Sequence, residues 1–137
     1  MNTYFFVFTN RDIFLRIPLN NIVYFEAEGN FSVVTTINKL KQSIYANLGQ
    51  VENILKEYIS NHDNEDDIFI RIGRSLIVNR NYIYMINTIK KEVTMSDCKS
   101  FVFKFNCSKD SLKKLREQLG DKSYDSDYEY KAIIRNC

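Results

Sequence analysis

The feature that most narrows the folds open to this chain is its punctuation. From Thr3 to Asn106, short runs of aromatic and β-branched residues alternate with turn-forming clusters, and a single internal stretch has helical spacing. Aromatic and β-branched side chains suit a pleated surface, whereas Asn, Asp, Gly and Pro bend the backbone. Thr3 to Thr9 and Ile13 to Ile17 flank Asn10-Arg11-Asp12 and predict a hairpin, which Pro18 ends because it has no amide to donate. Asn20-Asn21 turn the chain into Ile22 to Glu26. Gly29-Asn30 breaks the pattern, Phe31 to Ile37 resumes it, and Asn38-Lys39 closes it before Leu40 to Tyr45. Four or five short strands within the first 45 residues predict an antiparallel meander.

Asn47 and Gln50 have the spacing of a reciprocal capping box, and Leu48, Val51, Ile54, Leu55, Tyr58 and Ile59 follow at helical intervals. An amphipathic helix over about Leu48 to Ile59 is expected. Further strands are predicted at Ile68 to Ile72, Leu76 to Val78, Tyr82 to Ile86 and Glu92 to Met95, with Gly73-Arg74-Ser75 interrupting the first two. Phe101, Phe103 and Phe105 share one face of a period-two strand and are read as core lining, not as a stacking platform for bases. Ser108 can cap a last helix with Leu112, Leu115 and Leu119 as its buried stripe and Gly120 at its end. The fold class expected is mainly β (α+β): short antiparallel strands, one central amphipathic helix and a short C-terminal helix. Residues 1–120 form one domain in this reading, and 121–137 a polar, Tyr-rich tail, weakly ordered over Asp121 to Glu129.

Catalytic and cofactor chemistry finds little to work with. His62 is the sole histidine, and no motif holds a nucleophile beside it. The acidic run Asp63 to Asp67 lacks the glycine and bidentate glutamate of a calcium loop, and the four glycines are too scattered to cradle a phosphate. Glu26 and Glu28 share a strand face, an ordinary surface arrangement. Cys98, Cys107 and Cys137 have no metal-ligand spacing; a Cys98–Cys107 pair across a hairpin is the alternative to reduced structural thiols, which are expected. No enzyme activity, cofactor, metal or small-molecule substrate is therefore expected. The sequence has neither a bilayer-length apolar run nor a secretory start, so a cytoplasmic location off the membrane is expected.

The formal charge of +2 is unremarkable, but its distribution is informative. Four acids lie between Asn61 and Asp67, and 121–137 holds four more against three bases. The rest of the chain carries 16 bases and 9 acids, which permits an anionic partner.

Three stretches carry a resemblance. The first runs from Ile17-Pro18-Leu19 through Tyr24-Phe25-Glu26-Ala27-Glu28 to Gly29-Asn30-Phe31; the second is Phe69-Ile70-Arg71-Ile72-Gly73-Arg74-Ser75-Leu76-Ile77-Val78-Asn79, with Ile83 beyond it; the third is Cys107-Ser108-Lys109-Asp110-Ser111-Leu112-Lys113-Lys114-Leu115. In order and spacing they resemble the LytTR family of DNA-binding domains, output modules of bacterial transcriptional regulators. The resemblance covers roughly Ile13 to Leu119, and its second stretch is the most specific. It implies a compact β fold that presents loops to double-stranded DNA, as a homodimer on paired sites. Carried over by position, it makes Arg74, Asn30 or Ser32, and Lys109 the candidate base contacts. Arg71, Lys39 and Arg80 are expected phosphate contacts, from charge and nearness to these loops. Arg74 is the leading base reader, because a guanidinium can donate two parallel bonds to guanine. Asn79 is expected to bond backbone at a strand end. Asn30 has an alternative role as a left-handed turn residue beside Gly29.

The chain departs from the family pattern at Gly73, where histidine is frequent, and at Lys109, where arginine is frequent; Asp110 adds an acid beside the latter. These departures and the small net charge motivate a second reading, a protein-interaction module on the same fold that has lost DNA binding. A single-strand binder using exposed aromatics is a third. Too few residues precede Ile17 for a receiver domain on this chain, which is read as a free-standing regulator or a trimmed one.

Overall fold

The structure, a computed structural model, describes residues 4–61 and 68–121, with side chains in the central helix described as far as Glu57. The expected tail beyond Asp121, the acidic run with His62, and the helix side chains of Tyr58 and Ile59 lie outside the described residues.

Ten strands and two helices follow one another as β1 (Phe5–Thr9), β2 (Phe14–Pro18), β3 (Ile22–Glu28), β4 (Phe31–Thr36), β5 (Lys41–Ile44), α1 (Leu48–Asn61), β6 (Phe69–Ile72), β7 (Leu76–Asn79), β8 (Ile83–Asn87), β9 (Glu92–Ser96), β10 (Val102–Asn106) and α2 (Lys109–Gln118). All described pairings are antiparallel: a β1–β2 hairpin, a five-stranded sheet ordered β5-β4-β3-β7-β6, and a three-stranded sheet ordered β10-β9-β8. The mainly β class with two helices is thus observed. The expected meander is corrected in part. β3, β4 and β5 do meander, but β1 and β2 form a separate hairpin, and β3 takes its second neighbour, β7, from the far side of α1.

That long-range pairing makes β3 and β7 central strands, and their composition fits. Residues Leu76 to Asn79 are all buried, as are Ile22 to Phe25, because both faces of these strands are covered. One face packs on α1 and the β1–β2 hairpin through Phe6, Ile17, Phe25, Val34, Val51, Leu55 and Ile77. The other packs on the three-stranded sheet and α2 through Tyr24, Ile72, Val78, Val93, Met95, Phe101, Leu112 and Leu115. The result is a layered sandwich with two apolar cores separated by one sheet. A register shift between Ile22 and Tyr24 lets the consecutive residues Val23 and Tyr24 both join the second core.

Local chemistry holds the ends. The Asn47 amide donates to Gln50 Oε1 and the Gln50 amide to Asn47 Oδ1, each at 2.9 Å, completing the expected box at the start of α1. Ser108 Oγ accepts from the Ser111 amide at the start of α2, and Gly120 takes φ +82° beyond its end. Asn79 bonds backbone, donating from Nδ2 to the Ile22 carbonyl and accepting from the Asn81 amide. Phe103 and Phe105 pack edge-on against Tyr24, which establishes them as core lining. Cys98 and Cys107 do not face each other: Cys98 is exposed in the β9–β10 turn and Cys107 follows the opposite end of β10. Among the described residues no helix is long and apolar enough to cross a membrane, and no group of metal-ligating side chains occurs.

Candidate functional site

Strand direction decides which turns are neighbours. β3 runs from Ile22 toward Glu28 and ends in the two-residue turn Gly29-Asn30, while antiparallel β7 begins beside Glu26 and is entered from the turn Gly73-Arg74-Ser75. The Ala27 amide donates to the Ser75 carbonyl at 2.9 Å, tying the two turns together at one end of the five-stranded sheet. The start of α2 reaches the same end. Ile72, Gly73, Arg74, Ser75 and Glu26 share a cleft of about 360 Å³ with Lys104, Asn106, Ser108 and Ser111.

Arg74 is exposed on the rim of this cleft, and its guanidinium has no partner among the described residues. Lys109 is exposed at the first position of α2, next to the cleft residue Ser108. The positive pole of α2 adds to their charge, offset in its first turn by Asp110. Asn30 is exposed at the adjoining turn, just beyond the Glu28–Phe31 pair that closes the β3–β4 hairpin. Its left-handed alternative is not adopted. Gly29 alone takes φ +62°, as the first position of a primed hairpin turn requires, and Asn30 keeps a negative φ. The Asn30 amide has no hydrogen bond among the described residues and is available to a ligand.

The structure does not bring four of the expected contact residues to this cluster as free groups. Ser32 is fully buried and donates to the Ala46 carbonyl at 2.7 Å, so it reaches no base in this conformation. Arg71 is committed to its own loop: Nε donates to the Gly73 carbonyl, Nη2 to the Arg74 carbonyl, and Nη1 to Glu52 Oε1 at 2.6 Å. Lys39 sits in the β4–β5 turn, at the Ile22 end of the sheet, and the seven residues of β3 put that end roughly 20 Å from Asn30. Arg80 leaves β7 at that same far end and donates to the Gln118 carbonyl at the end of α2.

Other residues at the cleft end were not singled out by sequence reasoning. Lys104 is exposed, lines the cleft, and has no partner among the described residues. Its signal was present in the alternation itself, since Phe101, Phe103 and Phe105 facing the core leave Val102, Lys104 and Asn106 facing out. Phe31 and Tyr45, 44% and 67% exposed, pair at 5.0 Å between ring centres beside the Asn30 turn. Glu26, read as an ordinary surface acid, is half-buried in the cleft, where a carboxylate can accept but not donate.

Burial pushes the Cys107 thiol up, which leaves this cleft residue a protonated neighbour, not a nucleophile, near neutral pH. The arrangement presents three cations, an amide and an exposed aromatic pair at a sheet end, a set suited to an anionic surface with readable hydrogen-bonding edges.

The family model for the LytTr DNA-binding domain matches residues 12–120. Among solved structures, the chain is similar to the LytTr DNA-binding domain of a methyl-accepting/DNA response regulator from Bacillus cereus, with a TM-score of 0.60 and 22% identity over 88% of this chain and 100% of that one. No curated protein matches the chain.

Proposed function

We propose, from the premise that this chain belongs to the LytTr DNA-binding domain family, that it reads double-stranded DNA by sequence from the cleft end of its five-stranded sheet. Family membership makes it a DNA-binding domain of LytTR type. The choice of residues is the finer step. Arg74 is the principal base reader, Asn30 and Lys109 flank it, and Lys104 supplies a phosphate contact. The observation that carries this reading is the convergence of Arg74, Lys104 and Lys109, unpaired among the described residues, with the Asn30 turn at one end, while Lys39 and Arg80 lie at the other.

The cations hold the backbone while the guanidinium and amide donate to base edges in the major groove. The protein acts on transcription in the cytoplasm, with two copies on paired sites, as an output domain of the response-regulator kind. It performs no catalysis in this reading.

Arg74→Ala should weaken binding to the preferred duplex by about 1–3 kcal/mol and relax preference at one base pair. Selection from a randomised duplex pool with parent and variant checks this, and also gives the half-site spacing. An Arg74→Ala protein that selects the same sequences as the parent would remove Arg74 from the reading head.

A further inference from the structure

We infer that Glu52, on α1 and outside the cleft, is a positioning residue for base readout, acting through Arg71 on the loop that carries Arg74. The proposal rests on the reading above and concerns how that loop is held.

Arg71 is the last-but-one residue of β6, and its guanidinium folds back over the following turn. Two of its nitrogens donate to the carbonyls of Gly73 and Arg74, at 3.0 Å each, and a third to Glu52 Oε1 at 2.6 Å. The planar fork therefore ties two successive peptide units of the reading loop to a helix. Side chains of both ion partners are about one-third exposed, at 30% and 31%, so the pair is screened but oriented.

The loop needs such a restraint. Gly73 holds φ +61°, and a side chain there would meet nothing closer than Ser111 Oγ at 3.8 Å, so packing on Gly73 does not fix the turn. Beyond Arg71 and the Ile72–Leu76 strand pair that closes the hairpin, the turn is tied by the Ala27–Ser75 bond at its other shoulder. Base readout by a bidentate guanidinium tolerates small errors of aim only, so a looser loop loses discrimination before it loses affinity.

Glu52 has a second effect by charge. It neutralises Arg71, keeping a cation beside the cleft from adding sequence-independent attraction to phosphates. Removing the acid should therefore lower specificity and raise salt sensitivity together, a pair of changes that simple loss of stability does not produce.

The test compares the parent with Glu52→Gln, Arg71→Lys and Arg74→Ala on a duplex selected by the parent and on a scrambled duplex of equal length, across a salt series. Glu52→Gln should cut the ratio of the two affinities by roughly threefold to tenfold and steepen the salt slope by up to about one unit. Arg71→Lys should cut the ratio with no change in slope, because it keeps the charge and loses the fork. Glu52→Gln with a ratio within about twofold of the parent and the parental slope would overturn the proposal. Amide exchange at Ala27 in the free proteins separates the two hypotheses. If Arg74→Ala leaves the ratio untouched, the reading head is wrong; the clamp then stands if Glu52→Gln speeds Ala27 exchange and falls if it does not.

Discussion

The Ser32 hydroxyl donates to the Ala46 carbonyl where no solvent reaches, so deleting it strands a buried acceptor. Ser32→Ala should lower unfolding free energy by about 1–2 kcal/mol in urea titrations and leave duplex selection unchanged. A second residue-scale prediction concerns Asp97 in the β9–β10 turn. Desolvation raises its carboxyl, but the Ser100, Lys99 and Phe101 amides and the Ser100 hydroxyl outweigh that and hold it well below the usual carboxylate range. A carboxyl depressed on folding contributes stability that is whole above its unfolded value, near 4, and is lost as the pH falls toward the folded one. The urea midpoints of parent and Asp97→Asn should accordingly differ most at neutral pH and converge below about pH 4; a gap independent of pH would contradict this. Residue type was legible at this scale, and side-chain commitment was not. Arg71, Arg80 and Ser32 look in sequence like free polar groups, and partners 2 to 38 positions away occupy them.

Elements whose signals are local follow sequence closely. Capping residues, helical spacing and turn chemistry place α1, α2 and the β1–β2 hairpin because each is decided within a few residues. Asn47→Ala should cost about 1 kcal/mol, seen in the urea midpoint, by leaving the Gln50 amide without its acceptor. Sheet order was not legible, since the β3–β7 pairing joins residues fifty or more apart, and nothing in Ile22 to Glu28 names its second partner. The fully apolar run Leu76-Ile77-Val78 was the available clue, as a strand covered on both faces cannot alternate. At the reading loop, Gly73→Ala should cost roughly 1 kcal/mol through its positive φ, with ample room for the methyl group. Thermal denaturation reads that loss, and an unchanged midpoint would mean the loop relaxes out of its left-handed turn.

The molecule as a whole separates two jobs along the strand axis. Both apolar cores lie between the layers, and each end of the central sheet is left to its turns. At one end Arg80 closes α2 and Asn79 bonds β3, which is stabilising work. At the other, exposed Arg74, Lys104 and Lys109 surround a cleft beside the Asn30 turn. Three motif stretches far apart in sequence announced Arg74, Lys109 and the Asn30 turn, though not Lys104, and only β3–β7 pairing and the seat of α2 against β6 bring them together. The most direct test is a two-dimensional amide NMR titration with the duplex that the protein selects. The account predicts that the largest shifts cluster at residues 28–31, 73–76 and 104–111, with 37–41 and 80–82 little moved. Shifts concentrated around Lys39 and Arg80, with the Arg74 loop silent, would contradict it.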